Sequence, residues 1–242
     1  MKAAMNTVSL SLFRFPTWSS RVWVLGQMAL ARLAFRAMPE VGFYKLCGSG
    51  SGVGFTPRPD LSVWAVLATW PDATTARASI DSAPVYRRWR DRSVESWTIL
   101  LQPTSVRGTW SGQQPFTASD PAPDFPPDPS APIVALTRAT LRPATLLRFW
   151  ARVPDISATI GTDPNVLFKI GIGEVPLLHQ ITFSIWPDTA AMAHFARGDG
   201  PHGRAIQAVR AGNWFKEELF ARFRILDSWG SWGSTSLLQK AV

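Results

Sequence analysis

Apolar and polar residues alternate with period two through Val8–Phe15, which predicts a strand. Pro16-Thr17-Trp18-Ser19-Ser20 then supplies stop and cap residues, and Arg21–Met38 reads as a helix closed by Pro39. Arg21, Arg32 and Arg36 share one face of that helix, while Trp23, Leu30, Leu33, Ala34 and Met38 lie largely elsewhere. Such an amphipathic helix either packs on a sheet or rests on a membrane surface. Val41–Leu46 and Leu61–Thr69 follow as strands. Asp72 caps a short helix through Ile80, Pro84 opens another through Ser96, and Trp97–Leu101 begins a fourth strand.

The same order then returns. Gln113–Pro132 carries seven prolines and reads as a linker. Beyond it the pattern predicts strand Ile133–Thr140, helix Ala144–Val153, strands Val166–Gly171 and Gln180–Trp186, helices Ala190–Arg197 and His202–Phe220, and strand Arg222–Asp227. Words recur with the elements. Arg14 and Lys45 find counterparts in Arg138 and Lys169 at a spacing of 124, and Trp70-Pro71-Asp72 returns as Trp186-Pro187-Asp188. Gly108-Thr109-Trp110 returns as Gly230-Ser231-Trp232. Each Trp-Pro-Asp is a strand end, a proline break and a helix N-cap. The expected class is α+β: tandem ferredoxin-like βαββαβ repeats, residues 1–112 and 133–242, joined by a linker over 113–132. Each unit exposes one apolar sheet face. The two can cover each other in an intramolecular pseudo-dimeric α/β barrel.

Composition adds a sign to this frame. The net charge of +8 is carried by 20 Arg and 5 Lys, which suits either coding bias or an anionic partner such as lipid headgroups, cofactor carboxylates or an acidic redox protein. The arginines are scattered and no nucleic-acid-binding motif accompanies them, so nucleic acid is not an expected partner. The single Cys47 excludes an internal disulfide and fits a reducing compartment. Arg14 interrupts the early apolar run, and Arg32 and Arg36 interrupt Val22–Met38, so neither a secretory signal nor a spanning helix is expected. The location expected is cytoplasmic, with a peripheral place on the inner membrane as an option. The 12 Trp suit a large apolar cavity or aromatic packing equally.

Few residues carry candidate chemistry. Cys47-Gly48-Ser49-Gly50-Ser51-Gly52-Val53-Gly54 lacks the spacing of a dinucleotide or phosphate loop and reads as a mobile loop over a cavity mouth. Glu217-Glu218 reads as a solvated helix face. The three histidines, His179, His194 and His202, lie in the second half with no zinc-type spacing. Glu174 is close to His179 in sequence, but no third ligand is evident for an iron site of two histidines and a carboxylate. A single-histidine site remains, and haem suits it. His202 in Gly200-Pro201-His202 is the first candidate ligand: its counterpart in the first half is Tyr86, while Arg204 matches Arg88. His194 and His179 follow it.

Longer words carry a resemblance. Phe55-Thr56-Pro57-Arg58-Pro59, Val85-Tyr86-Arg87-Arg88-Trp89, Phe149-Trp150-Ala151-Arg152-Val153-Pro154-Asp155-Ile156 and Phe168-Lys169-Ile170-Gly171-Ile172-Gly173-Glu174 resemble the spheroidene monooxygenases, carotenoid ketolases of phototrophic bacteria. Thr182-Phe183-Ser184-Ile185-Trp186-Pro187-Asp188-Thr189-Ala190 and Trp214-Phe215-Lys216-Glu217-Glu218-Leu219 extend the likeness over essentially the whole chain. The resemblance implies a haem b (iron) oxygenase that sets a keto group on C2 of an acyclic carotenoid, fed by O2 and reduced ferredoxin. It implies a barrel akin to the chlorite dismutases and aldoxime dehydratases, with haem held by histidine in the second half. On that view His202 ligates iron and Arg204 assists cofactor binding. Arg138, Lys169 and Ser184 become candidate polar groups near haem or bound oxygen. The competing classes are a haem dehydratase or cofactor-free barrel oxygenase on another apolar substrate, and a non-catalytic haem or carotenoid carrier.

Overall fold

The structure is a computed structural model that describes residues 6–52, 56–118, 128–151, 166–197, 212 and 214–233. Eight antiparallel strands close into one barrel in the order β1-β3-β2-β6-β7-β5-β8-β4. They are β1 (Thr7–Arg14), β2 (Tyr44–Gly50), β3 (Pro59–Trp70), β4 (Glu95–Gly108), β5 (Ile133–Leu141), β6 (Phe168–Gly173), β7 (His179–Trp186) and β8 (Phe215–Gly230). Helices α1 (Trp18–Arg36), α2 (Ala73–Ser82) and α3 (Pro84–Arg92) belong to the first half, and α4 (Thr189–Arg197) to the second. This is the expected pseudo-dimeric α+β barrel.

The caps form as the sequence implied. Asp72 accepts from the Thr75 amide at 2.7 Å, and Asp188 from the Ala191 amide at 2.7 Å. Thr17 and Ser20 form a reciprocal capping box that starts α1. Alternation splits the core into two layers. Val8, Leu10 and Leu12 point into the barrel with Ile99, Val134, Leu136, Phe183 and Phe223. Phe13 and Phe15 point outward, beneath the helices, with Phe35, Trp64, Tyr86 and Trp89.

The pseudo-twofold extends to the strand ends. Gly108 (φ +94°) and Gly230 (φ +89°) adopt the left-handed conformation. A Cβ on either would sit 2.1 Å from a backbone oxygen, that of Glu218 or of Ser96 respectively. Only glycine fits either place.

Three expectations are corrected. The glycine-rich segment is not all loop: Gly48–Gly50 finish β2, and Gly48 and Ser49 pair with Gly173 and Ile172 to close the barrel at β6. Ser49 Oγ donates to the Gly171 carbonyl at 2.9 Å, and the Trp64 ring lies 3.5 Å from where a Gly48 Cβ would stand. Residues 53–55 lie outside the described residues. The helix expected through Phe220 gives way to β8 from Phe215 onward, because Leu219, Ala221 and Phe223 alternate into the barrel. The helix expected from Pro84 through Ser96 ends at Arg92, and β4 starts at Glu95 and pairs along β8 through Gly108. Phe116, at the start of the proline-rich segment, is buried against Phe223.

Candidate functional site

Two faces of the second half carry polar residues. Inside the barrel, β2, β5, β7 and β8 bring together Lys45, Arg138, His179 and Glu217, joined by Glu174 just after β6. Lys45 Nζ lies 2.6 Å from Glu174 Oε1 and donates to Ser111 Oγ at 2.8 Å. Arg138 is 1% exposed and pairs with both Glu217 and Glu174, its guanidinium 5.6 Å from the Trp110 ring centre. Glu217 also accepts from the Ser111 amide at 3.0 Å, the Gly112 amide at 2.7 Å and Thr109 Oγ1 at 3.0 Å. His179 Nδ1 stands 3.1 Å from Glu174 Oε2, but without the alignment of a hydrogen bond. Among the described residues, Arg138 Nε, Thr140 Oγ1, Glu174 Oε2 and His179 Nδ1 complete no hydrogen bond within the protein.

Both carboxyls are held low. Burial pushes Glu174 up, but His179, Lys45 and the Trp110 indole outweigh it and hold the group at about 2. Burial also opposes ionisation of Glu217, yet the Gly112 and Ser111 amides, Thr109 and Arg138 bring it to about 2. The neighbouring Cys47 thiol is fully buried. Its pKa is pushed well above 9.0, chiefly by desolvation, which makes it a poor nucleophile.

The sequence missed this cluster for a definite reason. Read as a sequence, Glu217 falls on a helix, where its neighbour Glu218 shares solvent. In β8 it has the parity of Leu219 and Ala221 and faces inward. That parity was the available signal. Register also changes the repeat. Thr7 faces Trp70 and Ile133 faces Trp186, so Arg138 occupies the place of Leu12, not Arg14. Tyr44 faces Ala68 and Lys169 faces Ser184, so Lys169 replaces Tyr44, not Lys45. Arg138 and Lys169 are therefore particular to the second half.

Lys169 and Ser184 stand on the opposite side of the sheet from Arg138. Phe168, Ile170 and Ile172 fill the lumen, so Lys169 between them points out, directly beside Ser184 on β7. The three candidate polar groups therefore do not share one face of the sheet. Ser184 is buried and accepts from the Trp186 indole at 3.0 Å. Around this pair the outer face is made of small side chains: Ala135, Thr137, Ala139, Gly171 and Thr182. At the equivalent register the first half places Phe13 where the second has Ala139, Leu46 where it has Gly171, and Trp64 where it has Gln180.

The histidines separate as well. His194 on α4 is exposed, whereas Met192 is buried and Phe195 lies 5.0 Å from Trp186. His179 points into the barrel at Glu174. His202 and Arg204 lie outside the described residues. Among the described residues no cluster of three His, Cys, Asp or Glu could hold a metal ion.

A spheroidene monooxygenase of Cereibacter sphaeroides is 54% identical over 229 residues, covering 94% of this chain and 69% of its own. The chain belongs to the spheroidene monooxygenase family. The Rhodobacter capsulatus spheroidene monooxygenase is 52% identical over 239 residues, 98% of either chain, and that of Rubrivivax gelatinosus 32% over 214 residues. No general protein-family model matches the chain. Among solved structures, an aldoxime dehydratase superposes with TM-score 0.62 at 13% identity over 98% of this chain and 89% of its own. A second, in complex with butyraldoxime, gives TM-score 0.62 at 10% identity over 99% and 88%. These two share the fold of this spheroidene monooxygenase family member.

Its polar cluster predicts an acid limit. The ordinary carboxyl value of 4.5 falls to about 2 for Glu174 and Glu217 on folding. A depressed pKa gives stability that is present above the unfolded value and lost as pH falls through 4.5 towards 2. Unfolding free energies from urea titrations at pH 6, 4 and 3 should decline over that window, by roughly 3 kcal/mol in all after solvent screening. A limb unchanged in Glu217→Gln would remove that residue from the account.

Proposed function

We propose that this chain is a haem-dependent monooxygenase that converts spheroidene to spheroidenone, placing a keto group at C2 of the acyclic carotenoid with O2 and reduced ferredoxin. The observation that carries this reading is the near full-length identity to spheroidene monooxygenases. The coarser conclusion, membership of an oxidoreductase family, stands on that identity directly.

The outer face of β5, β6 and β7 fits a flat macrocycle. Ala139, Gly171 and Gln180 stand where Phe13, Leu46 and Trp64 stand in the other half, which leaves room on this face. Lys169 and Ser184 stand on that face; an ammonium suits a propionate carboxylate and a hydroxyl suits a polar atom near the reacting centre. His202 would hold the iron and Arg204 would assist in binding the cofactor. Arg138 works from behind the sheet, pinning β5 to β8 through Glu217. Haem, when bound, supplies activation of O2. The protein supplies an apolar, water-poor place for the polyene and its orientation. Two hydroxylations at one carbon give a gem-diol, which loses water to leave the ketone. The net charge of +8 suits an acidic ferredoxin as electron donor.

The test is turnover. Purified protein loaded with haem b, spheroidene, reduced ferredoxin and labelled O2 should yield a carotenoid that has lost two hydrogens and gained one labelled oxygen. Bound but unchanged carotenoid would make the protein a carrier. Product formed equally without haem would make it a cofactor-free oxygenase.

A further inference from the structure

Helix α1 packs on the barrel through Val24, Ala31 and Phe35. Its outer face is the unusual one. Trp18, Val22, Leu25, Ala29 and Leu33 follow one another at helical spacing and are all exposed, with Leu30 beside them. Trp18 is 68% exposed, Leu30 61% and Leu33 64%. Leu30 and Leu33 thus sit on the solvent side with the arginines, which corrects the division expected from the sequence. A surface helix normally turns such residues inward.

The charge on the helix itself has one sign. Arg32 and Arg36 are exposed at its C-terminal end, and the whole helix contains no Asp or Glu. Arg92 stacks on Trp23 at 4.7 Å, adding a further cation beside the helix. A second copy docking through this face would bring arginines with no carboxylate on either helix to pair them. Anionic headgroups above an acyl layer complement both halves of the pattern. Among the described residues no helix is long and apolar enough to cross a membrane, so a helix lying along the surface is the geometry available to α1.

We propose that α1 docks the protein on an anionic lipid surface, with Trp18, Val22, Leu25, Leu30 and Leu33 in the acyl boundary and Arg32 and Arg36 on headgroup phosphates. This deepens the carotenoid reading, because a polyene substrate partitions into the acyl layer, but it stands on the geometry of α1.

The test uses the full chain, without carotenoid or added haem, so that its failure leaves the proposed reaction untouched. Co-flotation is measured with phosphatidylcholine vesicles with and without phosphatidylglycerol. Wild type should float with the anionic vesicles. Leu25→Glu/Leu33→Glu should bind about a hundredfold more weakly, some tenfold for each apolar side chain withheld from lipid. Arg32→Gln/Arg36→Gln should lose the preference for phosphatidylglycerol and most of the salt sensitivity. Both variants should keep the wild-type thermal midpoint and, with detergent-dispersed substrate, the wild-type turnover. Failure of wild type to float, or undiminished binding by Leu25→Glu/Leu33→Glu, overturns the proposal. A concentration-dependent dimer that this variant dissociates, without vesicle binding by wild type, assigns the face to self-association instead.

Discussion

His202→Ala is expected to abolish the Soret band of haem-loaded protein and to lower turnover by about a hundredfold or more, while His194→Ala and His179→Ala keep both. The geometry of the other two histidines drives this expectation. His194 lies on the solvent side of α4, since Met192 and Phe195 occupy the side facing the sheet. His179 enters the barrel and stands 3.1 Å from Glu174, on the opposite face from Lys169, Ser184 and the small-residue surface. Neither can reach a group lying on that surface without turning its element over. The spectrum of purified protein reads the outcome before any turnover assay. A band lost only in His194→Ala would move the ligand to α4. No band in wild type, even with added haem, would end the haem mechanism.

The second large effect is on stability. Arg138→Met should destabilise the protein by about 3 kcal/mol, near the lower end for breaking a buried ion pair. The lower end applies because the stranded carboxylates keep other partners. Glu174 retains Lys45, and Glu217 retains the Ser111 and Gly112 amides. Glu217→Gln in the Arg138→Met background should cost less than in wild type, with a coupling of about 1–3 kcal/mol between the two sites. Urea denaturation at neutral pH measures both. A change below about 1 kcal/mol for Arg138→Met would mean that solvent already screens the cluster. Such screening is at odds with an arginine that is 1% exposed.

The two outcomes separate two jobs. Arg138 belongs to the lumen and holds strands together; Lys169 and Ser184 belong to the outer face, the side proposed for the cofactor. The sequence joined them as one group because each stood in a strand of the second half. Alternation was legible within each strand, and it places Lys169 opposite Phe168 and Ile170 correctly once the barrel side of those residues is known. What was not legible was the pairing between strands. Matching Lys45 to Lys169 looked sound as a string, yet the register sets Lys169 against Tyr44, one residue away. A one-residue slip turns a side chain to the other face of the sheet.

By itself the sequence determined the order of the strands, the helices of the first half, the caps at Asp72 and Asp188, the closed barrel and the family. These are local or repeated signals: period-two runs, cap residues before turns, and long shared words. The tertiary structure alone decided the rest. It drew Gly48 and Ser49 into the seam with β6, and turned Glu217 inward onto Arg138. It also left the apolar stripe of α1 in solvent. Each of these depends on partners far apart in the chain, fixed only when ladder hydrogen bonds close the barrel and choose one register. A helix face is assigned to core or solvent by what packs against it, and no spacing within α1 records that.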